Sequence, residues 1–257
     1  GSRFASGSSD TLVIIWKISG QGLLKYTHIA GIQRVVYSPN SFHLLSCSDE
    51  DFGMWSPQQK QVSKEKIHSK ILCAAWAPTG SIIALGLENG CTSVRKLTGE
   101  EIVKINRRAP VFCLLFLPSF NLTAGSEFSS VSLTDVELIV GCWDKTLCSY
   151  RLQGNDCRIQ HEKALQFYPC SISIAGSTSL TKMVYLVISG SNGKTSLYSK
   201  ECSRLADLNQ YNGWICSNAC HSETERVVTG SNDGNITVLQ MTFDVVHAIS
   251  KDRYVFR

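Results

Sequence analysis

His28, Ser46 and Asp49 are the residue types of a base, a nucleophile and an orienting carboxylate. Acyl-transfer chemistry needs such a serine exposed beside an oxyanion hole. Ser46 instead stands in the apolar run around Leu44 and Leu45, which predicts a packed strand, so no catalytic residue is assigned. Cys216, Cys220 and His221 come nearest to a metal cluster. On a strand, residues four apart lie about 13 Å from each other. One zinc with sulfur ligands near about 2.3 Å cannot join them, and no metal or cofactor site is expected. The eleven cysteines are odd in number, scattered and without a CxxC pair, which points to packing rather than disulfides. Gly190-Ser191-Asn192-Gly193 is followed by no Lys-Ser/Thr at phosphate-loop spacing.

Basic residues form small groups: Lys60, Lys64, Lys66 and Lys70, then Arg107 and Arg108, then Lys251 to Arg257. They read either as a solvated outer surface or as a contact for an acidic partner or an anionic membrane. A net charge of +4 is too small to argue for nucleic acid. No apolar run approaches the roughly 20 residues of a membrane-spanning helix.

The elements that must position these residues follow from an internal repeat. Tyr37-Ser38-Pro39, Trp76-Ala77-Pro78 and Phe116-Leu117-Pro118 recur at steps of 39 and 40 residues. A second series is a small-residue turn leading into an apolar strand. It ends at Trp16, Trp55, Arg95, Tyr150, Tyr198 and Leu239. Ser9-Asp10, Asn89-Gly90, Asp144-Lys145, Asn192-Gly193 and Asp233-Gly234 supply the hairpin turns. In one unit, residues 72–76, 82–86, 91–95 and 102–105 read as four strands. Four strands in roughly 40–45 residues describe a β-propeller blade. The sequence therefore predicts an all-β chain, residues 1–257 forming one domain. It holds an opening half-blade and five full blades, at 30–66, 67–106, 107–163, 164–209 and 210–250. Residues 119–135, polar and Ser/Thr-rich, interrupt the period as a surface loop.

These units resemble WD40 repeats, although Trp16 and Trp55 are followed by Lys17 and Ser56 rather than Asp. A more specific likeness lies in RFASGSSDTLVIIW, LKYTH, DFGMWSPQQKQVSK, ALGLENG, GEEIVKI and VHAISKDRYVFR. These stretches resemble the first propeller of the intraflagellar transport protein 122 family. The resemblance implies a seven-bladed ring, with about one and a half blades before Gly1 and a second propeller after Arg257. It also implies that His28, Ser46, Asp49 and Trp55 form a structural hydrogen-bond tetrad inside one blade. In function it implies a non-enzymatic scaffold of intraflagellar transport complex A, in the cytoplasm, cilium or flagellum and basal body. Its roles would be retrograde transport, cilium assembly and delivery of membrane proteins. Its partners would be other complex A subunits and membrane-protein cargo adaptors. The alternative is a generic WD40 interaction scaffold or a vesicle-coat-like subunit.

Overall fold

The computed structural model describes residues 2–40, 42–57, 62–118, 136–176, 184–221, 224–241, 247–250 and 253–256. The loop expected at 119–135 lies outside the described residues, as does Lys60. Every regular element among the described residues is a β-strand, and the sheets are antiparallel meanders arranged as six blades.

Blade 1 holds β1 (Arg3–Gly7), β2 (Leu12–Lys17) and β3 (Gly22–Thr27). Blade 2 holds β4 (Ile32–Tyr37), β5 (Leu44–Ser48), β6 (Asp51–Trp55) and β7 (Ser63–Lys66). Blade 3 runs β8 (Ile71–Trp76), β9 (Ile82–Leu87), β10 (Cys91–Lys96) and β11 (Glu101–Asn106). Blade 4 runs β12 (Val111–Phe116), β13 (Val136–Cys142), β14 (Thr146–Gln153) and β15 (Asp156–Ala164). Blade 5 runs β16 (Pro169–Ala175), β17 (Tyr185–Gly190), β18 (Lys194–Ser199) and β19 (Arg204–Gln210). Blade 6 holds β20 (Ile215–His221), β21 (Arg226–Ser231) and β22 (Ile236–Gln240). A hairpin follows, β23 (His247–Ser250) with β24 (Arg253–Phe256).

The blade count differs from the expectation at both ends. The opening unit is three strands rather than a half-blade. The unit at 210–250 contributes three blade strands rather than four. Its last stretch, β23, spends its hydrogen bonds on β24, with Ser250 opposite Arg253, instead of extending β22.

First strands line the centre of the ring, β4 packing on β8, β8 on β12, β12 on β16 and β16 on β20. Blades 2 to 5 are each sandwiched between two others, so middle strands such as β5, β6 and β9 are buried along their whole length. That is why β9 reads as a continuous apolar run rather than an alternating one. The fourth strands β15 and β19 face water and alternate weakly.

The turn between the second and third strands recurs with one geometry. An Asx oxygen accepts the backbone N–H two residues on: Asp10 from Leu12, Asn89 from Cys91, Asp144 from Thr146, Asn192 from Lys194 and Asp233 from Asn235, at 3.0–3.3 Å. The residue after the Asx is left-handed in several blades: Thr11 (φ 73), Gly90 (φ 85), Lys145 (φ 62), Gly193 (φ 69) and Gly234 (φ 86). At Gly90 and Gly193 a Cβ would also strike the Arg107 and Tyr211 carbonyls of the neighbouring loop.

Candidate functional site

One loop position joins each blade to the next: His28, Ile67, Arg107, Leu165 and Tyr211. Its backbone N–H bonds back to the turn of the blade just left. The acceptors are the carbonyls of Thr11, Glu50, Gly90, Lys145 and Gly193, at 2.6–2.9 Å. The His28 and Arg107 side chains reach forward into the blade about to begin, and Ile67 and Leu165 pack in clusters shared by the two blades they join. Backbone bonded to one blade and side chain packed on the next make each of these four a mechanical joint.

At the joint into blade 2 the side chain is polar. His28 Nδ1 lies 2.9 Å from Asp51 Oδ1 and Nε2 lies 2.8 Å from Ser46 Oγ. Tyr26 O–H donates to Ser46 Oγ at 3.0 Å, and Ser48 O–H donates to the Asp51 carboxylate. Burial pulls the His28 pKa below 6.5, outweighing the Asp51 carboxylate that pulls it up. The neutral ring then donates from Nδ1 to Asp51 and accepts at Nε2 from Ser46. Burial also pushes the Tyr26 hydroxyl up to about 12. Ser46, His28 and Asp51 are the types of a nucleophile, a base and an acid, yet Ser46 is 0%, His28 6% and Asp51 3% exposed. A serine closed in on every side has no room for an acyl group, so the arrangement braces the blade.

Two expected tetrad members fall elsewhere. Asp49 does not meet His28; it sits at the turn and pairs with Lys70 across to the next loop, 3.3 Å away. Asp51, at the start of β6, takes its place, because the blade 2 turn has no left-handed residue and Ser48 caps the Asp51 N–H instead. Trp55 is buried, but its indole makes no hydrogen bond to a described residue. Tyr26 already donates to Ser46, and the ring packs on Val13, Ile15 and Leu44. The tryptophan half of the tetrad forms in blade 1 instead, where Trp16 Nε1 donates to Ser6 Oγ at 2.9 Å. Ser6 and Ser46 are equivalent by register, each flanked two positions earlier by the partner of the third-strand Trp.

The joint into blade 4 is a second polar brace that sequence reading missed. Arg107 Nη2 donates to Glu162 Oε1 at 2.6 Å and to Thr146 Oγ1 at 3.1 Å, and lies 3.6 Å from Asp144. Its Nη1 reaches Tyr150 O–H at 3.4 Å. Asp144 is the Asx residue of its turn, and Tyr150 holds the register position in the third strand that Trp55 holds in blade 2. The joints into blades 3 and 5 are apolar together with their surroundings. Ile67 packs in the cluster of Leu85, and Leu165 in that of Ile188, both at the Ser46 position of their blades.

Comparison with known proteins decides what kind of propeller this is. Residues 1–240 match the family model described as IFT122 first beta-propeller. The chain belongs to that family. Among curated relatives, intraflagellar transport protein 122 homolog of Mus musculus is 40% identical over 261 residues, and that of Danio rerio is 39% identical over 261. The Homo sapiens homolog is 35% identical over 309 residues. Each alignment covers 100% of this chain but only 20–24% of the relative, so the chain spans about a fifth of their length.

In this member of the intraflagellar transport protein 122 family the expected basic surface is broken up. Lys64 donates its Nζ to the Thr27 carbonyl of blade 1, Lys70 pairs with Asp49, and Arg107 is consumed inside blade 4. Arg108 is exposed with no partner among the described residues. Lys66 lines a groove of about 240 Å³ between blades 2 and 3, with His68 and Lys104. All eleven cysteines are free, and the Cys220 thiol lies 3.0 Å from Ser173 Oγ. The signal for Arg107 lay in counting: it stands 40 residues after Ile67, which stands 39 after His28.

Proposed function

We propose that this propeller is a non-enzymatic scaffold within intraflagellar transport complex A. It would act in retrograde ciliary transport, cilium assembly and delivery of membrane proteins to cilia. The observation that carries the reading is the match over residues 1–240 to the first propeller of a family named for intraflagellar transport. The buried Ser46–His28–Asp51 set supports it, because this triad-like arrangement has a bracing geometry. Partners are other complex A subunits and membrane-protein cargo adaptors, met in the cytoplasm, at the basal body and in the cilium or flagellum. The blades belong to a seven-bladed ring. Its exposed loops and faces offer contact surfaces, which fits a scaffold.

The test is affinity purification of a tagged protein from ciliated or flagellated cells. Recovery with the other complex A subunits, reduced when blade 2 is destabilised by Asp51→Ala, is expected. Recovery with vesicle-coat subunits instead would favour the generic scaffold reading.

A further inference from the structure

Four aromatic rings from three blades form a ladder on the loop face. Phe112 stacks on Trp143, centroids 4.2 Å apart and planes 11° from parallel. Trp143 meets Tyr168 at 5.8 Å, and Tyr168 meets Trp214 at 6.3 Å and 22°. The backbone makes this regular. Tyr168 and Trp214 occupy the same position, immediately before the first strand of blades 5 and 6, and their carbonyls accept the N–H groups of Ser191 and Asn232. Trp143 opens the blade 4 turn and donates its own N–H to Pro110. Blades 2 and 3 carry Gly31 and Lys70 at the Tyr168 position, so the ladder is confined to blades 4–6.

Ring packing within the protein does not use this surface up. Trp214 is 41% exposed and the other three rings are half-buried.

Charge around the ladder is one-sided. Lys145 Nζ lies 4.8 Å above the Tyr168 ring, and Arg108 is exposed on the loop that ends at Pro110. Of the two carboxylates in these loops and turns, Asp144 is held by Arg107 and Thr146, and Asp233 is turned into its own hairpin by Ser231 and Asn235. The free cations therefore have no local counter-charge.

We propose that this ladder docks an extended, proline-bearing acidic segment of a partner protein. Polyproline II backbone has no internal hydrogen bonds, so such a segment keeps an extended shape without help from its own backbone. Aromatic-lined grooves recognise such segments because little conformational entropy is lost. Acidic flanks pair with Lys145 and Arg108. This inference does not rest on membership of a transport complex.

The probe is a fluorescein-labelled peptide of Glu-Pro-Pro repeats, about twelve residues long, titrated with the purified protein and read by anisotropy. Saturable binding is expected, weakened at least about tenfold by Trp214→Ala and severalfold by Arg108→Glu. Both side chains are exposed, and unchanged melting temperatures show that each variant folds. A Lys-Pro-Pro peptide is expected to bind far more weakly. No binding of the acidic peptide, equal binding of both peptides, or binding unmoved by Trp214→Ala would overturn the proposal. So would binding to phosphatidylserine vesicles in place of the peptide, or a concentration-dependent dimer that Trp214→Ala abolishes.

Discussion

Asp49 and Asp51 share one turn, and only the second touches His28. Asp51→Ala strands the buried His28 and Ser48 donors and is expected to cost about 2–4 kcal/mol in urea unfolding. Asp49→Ala removes an ion pair between groups each more than a third exposed, and its expected cost is below about 1 kcal/mol. His28 also sets a pH dependence. Its folded pKa lies below the unfolded value of about 6.5, so below that pH the unfolded chain binds a proton that the folded chain refuses. Stability from this residue is complete above about pH 6.5 and declines as pH falls towards 5. Melting temperatures across that window should fall in the natural protein and fall less steeply in His28→Gln. Arg107→Ala, which abandons Glu162 and Asp144, should lower stability by about 2–3 kcal/mol, whereas Arg108→Ala leaves the melting curve unmoved.

At the scale of strands and turns, local chemistry was readable. Asn-Gly and Asp-Gly pairs marked the turns at Gly90, Gly193 and Gly234, because left-handed backbone leaves few residue choices. The four strands read in blade 3 match β8–β11 to within a residue or so. Thr11 is the exception in chemistry, a β-branched residue at φ 73 where blades 3, 5 and 6 use glycine and blade 4 uses Lys145. Thr11→Gly is expected to stabilise the protein by about 1 kcal/mol, relief of the steric clash exceeding the added chain entropy. A lower melting temperature would show that the Thr11 side chain contributes more than its backbone costs. Asp51 was not readable because three consecutive carboxylates, Asp49, Glu50 and Asp51, differ only in the face they end on, and that depends on how the turn is capped. Arg107 was not readable as a joint because four different residue types occupy the equivalent positions: His28, Ile67, Leu165 and Tyr211.

For the whole molecule, the two terminal blades differ from the rest in what they leave uncovered. Ile236 is 78% and Val238 61% exposed, alternate residues on one face of β22. Blade-to-blade packing buries such faces elsewhere, so the chain expressed alone is expected to self-associate. Ile236→Lys with Val238→Lys should shift its sedimentation towards the monomer. The period of about 40 residues made the ring legible, but strand pairing at its ends depends on which neighbour is present, and β23 chose β24. The joints have a further consequence, for assembly. His28 finds hydroxyl and carboxylate, Ile67 and Leu165 find aliphatic walls, and Arg107 finds two acids. A blade docked one place out of order would bury an arginine or an imidazole against leucine, or leave an aspartate facing isoleucine. Each mismatch costs several kcal/mol, on the order of a quarter of a domain's net stability. Near-identical repeats risk exchanging places as they fold; here polar locks at the His28 and Arg107 junctions alternate with apolar ones at Ile67 and Leu165, so a slip by one blade is penalised.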